Sequence, residues 1–175
     1  MPLINKVLPG YVATLWMQDD VTPTALTDTQ LSTWTGQVAD IIGTAAGGTG
    51  TAGYLVPVEA IPAFGSDDAS AAYSVAGART GAKITTQNQP TSMTITAAWN
   101  SADAALLQIR ADGYSGSTIR TYVIAVYDGS STVAYAFNGR IGGLQWDLQP
   151  SAESKFMFTI HPVGGLSYGW TTDPA

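Results

Sequence analysis

The sequence predicts a mainly β fold with one short flanking α-helix at about residues 101–112. Three observations carry this. Residues 91–99 alternate, with Met93, Ile95, Ala97 and Trp99 on one side and Ser92, Thr94 and Thr96 on the other. Residues 118–127 are apolar on both faces, Tyr122, Ile124 and Val126 against Ile119, Val123 and Ala125, which marks a central strand covered on both sides. Between them, Leu106, Ile109 and Arg110 recur at helical spacing.

Residues 1–10 contain Pro2, Pro9 and Gly10 and are expected to be an extended N-terminal arm. Residues 11–16, rich in aromatic and β-branched side chains, read as the first strand. A polar connection follows, with a helical turn expected within 27–34. Residues 36–43, carrying Val38, Ile41 and Ile42, read as a second strand. Residues 44–81 read as a long functional loop, or a hairpin whose Tyr54–Val58 face needs a partner surface, since Gly, Ala and Thr dominate the segment and Pro57 and Pro62 interrupt its one apolar stretch. That stretch has no evident home inside one subunit, so Tyr54, Leu55, Val56, Val58 and Ile61 are the expected oligomer contacts.

Asn100 or Ser101 is placed to cap the helix start, with Asp103 at its positive end and Gly113 at its left-handed C-terminus. Asp128-Gly-Ser-Ser131 signals a hairpin turn. Val133, Tyr135 and Phe137 then alternate with small or polar residues. After Gly139 the pattern resumes at Leu144, Trp146 and Leu148, and again at Phe156, Phe158 and Ile160. Residues 11–162 form one expected domain, and 163–175 a C-terminal arm.

Charge is the most informative part of the composition. Charged residues are 11% of the chain, against about 25% in a typical soluble protein. Such thin cover points to a neutral Ser/Thr/Gly/Ala surface, to neighbouring subunits that hide surface, or to both. The net charge of −6 argues against a nucleic-acid face and against binding to anionic membranes. No cysteine is present, so disulfides, thiolate metal sites and cysteine nucleophiles are excluded. No apolar run approaches the roughly 20 residues that span a bilayer, and no secretory leader pattern stands at the N-terminus.

No catalytic constellation emerges, and no cofactor or metal is expected. His161 is the one histidine and no nucleophile elbow accompanies it. Asp19-Asp20 and Asp67-Asp68 lack the spacing of a calcium loop, and Gly47-Gly-Thr-Gly50 lacks the lysine of a phosphate loop. Arg79, Arg110, Arg120 and Arg140 are dispersed and are expected to pair with acids at the rims of contacts.

The order of elements resembles the siphophage major tail tube protein family over roughly residues 10–162. The resemblance rests on an Ala13-Thr-Leu-Trp16 opening strand and a Gly81-Ala-Lys-Ile-Thr run into the strand ending at Trp99. It continues through a Leu106-Leu107 helix, a hairpin at Asp128-Gly129 and a Phe137-Asn-Gly-Arg-Ile-Gly142 strand. It implies a β-sandwich or barrel-like domain that assembles into stacked hexameric rings, a virion tube made in the host cytoplasm. The partners it implies are the chain itself and the tape measure, tail initiator and tail terminator proteins, with DNA crossing the lumen without specific binding. Two other classes stay open. One is a different β-rich virion protein, a tail terminator or capsid decoration protein. The other is a carbohydrate-binding or adhesin domain using Trp16, Trp34, Trp99, Trp146 or Trp170.

Overall fold

The computed structural model describes residues 12–19, 25–31, 38–42, 52–73, 82–127, 132–148, 153–163 and 169–172. The early elements are β1 (Val12–Gln18), α1 (Asp28–Leu31), α2 (Ala39–Ile41), β2 (Gly53–Val56), β3 (Ser66–Tyr73) and β4 (Ala82–Pro90). Next come β5 (Met93–Ala98), α3 (Ala104–Ser115), β6 (Ile119–Tyr127), β7 (Thr132–Asp147), β8 (Lys155–Pro162) and β9 (Gly169–Thr172). The fold is mainly β, as the alternation predicts.

The main sheet is antiparallel in the order β2-β1-β6-β7-β8-β5, and β9 pairs with β7 beside this path. β6 is central and has no solvent face along its middle. Tyr122 and Ile124 pack with Leu15, Met17, Ile95, Phe156 and Phe158, under Leu106 and Ile109 of α3. Val123 and Ala125 join Ala134 and Ala136 on the other face, beneath Leu26, Leu31, Val38, Ile41 and Ile42. The three alanines leave room there for two short helices lying close against the sheet.

Several elements differ from expectation. The stretch read as a second strand is helical where it is described: Val38, Ile41 and Ile42 are buried at the i, i+3, i+4 spacing of one helix face. The loop expected over 44–81 contains β2 and β3, and the expected C-terminal arm contributes β9, which pairs with β7 from Val133 to Ala136. Residues 1–10 and 128–131 lie outside the described residues, although Tyr127 opposite Thr132 shows that β6 and β7 pair as a hairpin.

The runs on either side of Gly139 form one 16-residue strand. Its pairing with β8 shifts between Gly142 and Gln145, where Gly143 has φ 59°. Glycine takes that conformation without a Cβ clash, so the strand bends without ending.

α3 starts and ends about three residues beyond expectation. Asp103 is the N-cap and accepts the Leu106 N–H at 3.0 Å, while Asn100 accepts from Ala102 N–H instead. Gly116 (φ 64°) ends the helix. Gly113 stays inside it, because a Cβ there would stand 2.7 Å from the Leu144 side chain of β7.

The sheet does not close into the barrel-like form that the resemblance implies. β2 is four residues long, and Pro57 offers no N–H to extend it. The gap to β5 is spanned by one bridge, Val58 to Ala97, with Glu59 N–H donating to the Thr96 carbonyl at 3.0 Å.

Phe158 is fully buried at the centre of the larger core. Phe158→Ala should cost about 3–5 kcal/mol of unfolding free energy, read from the shift of the urea midpoint at constant m-value.

Candidate assembly surface

β2 pairs with β1 in a register that sets Tyr54, Leu55 and Val56 opposite Met17, Trp16 and Leu15. Strand alternation then sends neighbouring side chains to opposite faces. Val56 is 1% exposed within the core, whereas Leu55 is 49% exposed. Tyr54, Val58 and Ile61 are partly buried against the same core. The apolar stretch therefore has a home inside the subunit after all, and of the five expected contact residues only Leu55 faces outward as an exposed side chain.

Beyond Pro57 the chain forms a strap across the end of the core. Phe64 meets Tyr135 edge-on with ring centroids 5.0 Å apart, and Thr91 N–H donates to the Gly65 carbonyl at 3.1 Å. The strap leads directly into the β3–β4 ladder, which runs from Ser66 opposite Pro90 to Tyr73 opposite Ala82 with a register shift between Ala69 and Ser70. Among the described residues this hairpin pairs with no other strand.

A buried polar junction lies near the C-terminal end of α3. Arg120 of β6 donates through Nε and Nη2 to the two carboxylate oxygens of Asp112, and both side chains are nearly inaccessible. Arg120 Nη1 also donates to the Asp19 carbonyl at 2.7 Å, and Gln108 Nε2 donates to Asp112 at 3.0 Å. Arg120 thus joins α3, β6 and the end of β1 within one subunit and does not sit at the rim of a contact. A charged residue inside a run that is apolar on both faces was the available signal, since buried charges require partners. Beside it, burial pushes the Tyr122 phenol far above its ordinary value, the Asp112 carboxylate adds to the rise and Arg120 opposes it.

A second polar junction holds the outer layer. Thr121 Oγ1 accepts from Leu26 N–H at 2.9 Å and donates to Asn138 Oδ1 at 2.8 Å, while Asn138 Nδ2 donates to the Leu26 carbonyl at 2.7 Å. Thr121 and Asn138 stand opposite each other on β6 and β7, so one cross-strand pair fixes both backbone groups of Leu26.

His161 is exposed on β8, and its Nδ1 lies 2.8 Å from Ser92 Oγ. Among the described residues no carboxylate hydrogen-bonds this ring, and no group of three His, Cys, Asp or Glu is placed to hold a metal. Asp67 and Asp68 stand opposite Gln89 and Asn88 in the hairpin ladder. Trp99 and Trp146 meet edge-on at 6.3 Å and both contact Phe156, so they are anchored in the core and are not free platforms. Arg110 lies over the Trp99 ring at 5.8 Å. Trp34 and the side chain of Trp170 lie outside the described residues.

The chain resembles two solved assemblies in fold. One is an extracellular contractile injection system described as the PVC sheath/tube terminator in the extended state, with TM-score 0.61 and 10% identity over 93% of this chain and 96% of that one. The other is the baseplate of the anti-feeding prophage, 6-fold symmetrised, with TM-score 0.63 and 8% identity over 97% of both chains. No family model and no curated protein matches the sequence. The phage-tail character implied by the sequence therefore holds at the level of fold.

Breaking the Arg120–Asp112 pair by Arg120→Met or Asp112→Asn should cost about 3–5 kcal/mol each, because an uncompensated buried group remains; Arg120→Met with Asp112→Leu should recover much of that loss in the same urea titration. A second test uses pH. Folded Tyr122 keeps its proton where the unfolded chain releases it, so its contribution is complete below about pH 10 and falls above it, at up to about 1.4 kcal/mol per pH unit. Tyr122→Phe should flatten the alkaline limb of the stability profile relative to the parent protein.

Proposed function

We propose that the chain is a structural component of a phage-like tail that assembles with copies of itself, and that its role there is tube subunit. The observation that carries this is the β3–β4 hairpin. It projects from the strap with no neighbouring strand among the described residues, and a lone two-stranded ladder is marginal in water. A surface on another subunit supplies what it lacks. The outward Leu55 on edge strand β2 adds an apolar contact beside an open sheet edge, the kind of edge that natural proteins pair or cover. The thin charge of the chain accords with surface hidden by neighbours.

In this reading the rings are hexameric and stack into a conduit within the virion, built with the tape measure, tail initiator and tail terminator proteins. DNA passes without specific binding, in keeping with the net charge of −6. The role is structural and not enzymatic. A second reading is favoured by one neighbour, whose description names a sheath/tube terminator: a ring that closes a tube without growing.

Electron microscopy of the purified chain separates these outcomes. Open-ended tubes support the subunit, discrete rings of fixed mass support the terminator, and a monomer at every concentration and with initiator protein present removes both. Replacing residues 66–90 by a short Gly/Ser link should leave the main sheet cooperative in thermal unfolding but stop assembly. Leu55→Asp should weaken assembly and change stability by no more than about 0.5 kcal/mol. Val56→Asp should instead unfold the domain, since it places a charge in the core.

A further inference from the structure

β8 and β9 lie end to end along one edge of β7. The other edge of β7 is taken by β6, which pairs with it from Thr132 to Arg140. β8 pairs with Gly139 to Asp147 and β9 with Val133 to Ala136, both antiparallel, so both use the edge away from β6. Val163 N–H still donates to the Asn138 carbonyl at 2.9 Å, and pairing resumes with Gly169 opposite Ala136. β9 thus prolongs the line of β8.

The next strand out stops short of that line. β5 covers the far edge of β8 from Ala98 opposite Lys155 to Met93 opposite Ile160. Among the described residues no strand covers the corresponding edge of β9. The chain immediately upstream of β5 is β4, joined to it through Thr91 and Ser92 alone. Because β5 runs antiparallel to β8, its backward continuation leads along β9. β4 therefore leaves the sheet at the point where its straight path covers that edge. Its own second edge is equally open, since β4 pairs only with β3 among the described strands. Two unpaired edges tethered through so short a link meet at little cost in loop-closure entropy, and each presents backbone donors and acceptors with no strand opposite.

We propose that β4 closes onto the free edge of β9 in the unassembled subunit, adding β4 and β3 to the main sheet, and that this closed form is autoinhibitory. The occupant of the β9 edge is the chain's own β4, because the continuity of β5 delivers that strand there. Autoinhibition rests on the assembly reading above: the hairpin reaches another copy only after it leaves β9. Closure seals two edges that otherwise template association.

The chain contains no cysteine, so an introduced pair gives an unambiguous link. In dilute, monomeric full-length protein, Thr86→Cys with Thr171→Cys should oxidise within one chain roughly tenfold faster than Thr86→Cys with Ala13→Cys, whose second site is exposed on β1. Gln87→Cys in place of Thr86→Cys covers a one-residue slip of register. The oxidised protein should fail to assemble where its reduced form does. Equal rates for the test and control pairs overturn closure and leave the self-assembly reading standing. Links formed only between copies put β4 on a neighbour's β9 and overturn closure within the subunit. A linked protein that assembles like its reduced form overturns autoinhibition. If the reduced protein does not assemble at all, the self-assembly reading fails and takes autoinhibition with it, while the linking rates still decide closure.

Discussion

With Tyr122 and Ile124 on one face of β6 and Val123 and Ala125 on the other, this strand must be roofed twice. Each roof has its own origin. α3 and strands β5 and β8 close the larger core, while α1, α2 and their flanking residues close the smaller one. Burying a strand on both faces also removes solvent from its polar groups, so each must find a partner inside the protein. Arg120 finds Asp112 and the Asp19 carbonyl, and Thr121 finds Leu26 and Asn138. The two junctions lie at adjacent positions of β6 and act on different layers. Together they set where the helix ends and where the outer segment crosses.

The second constraint is the unfinished sheet. β2 stops at Pro57, and the single bridge at Val58 spans the gap to β5 without completing a ladder. The strap that follows carries enough apolar surface, in Val58, Ile61 and Phe64, to cover the end of the core. What it then emits is a two-stranded hairpin outside the sheet. The economy of the subunit is thus asymmetric, with a well-covered core and a polar hairpin and open edges left over. In the proposed assembly, neighbours would satisfy edges that a monomer leaves open.

The likeness to the two solved structures is one of fold, at an identity where sequence alone carries no kinship. The buried ionic chemistry at Arg120 and Asp112 holds elements together, and the exposed Tyr114 ring stacks on a Trp146 that is half-buried against the core.

The mainly β class, β6 as a central strand, the inward rows Met93-Ile95-Ala97 and Phe156-Phe158-Ile160, and a helix near Leu106 were all determined by the sequence, because strand and helix periods are local properties. The i, i+3, i+4 spacing of Val38, Ile41 and Ile42 was equally local, and there the β-branched composition misdirects the reading. Other features were decided only in three dimensions. Gly113 lies within its helix because Leu144 occupies the space of a Cβ, a contact with a residue 31 positions away in the chain. Arg120 is a buried partner and not a rim charge because α3 brings Asp112 over β6. Of the proposed contact residues, the apolar character of the 54–61 stretch was legible but its direction was not. Register against β1 sends Val56 inward and Leu55 outward, and register comes from pairing between distant strands, which a linear pattern of hydrophobicity does not encode.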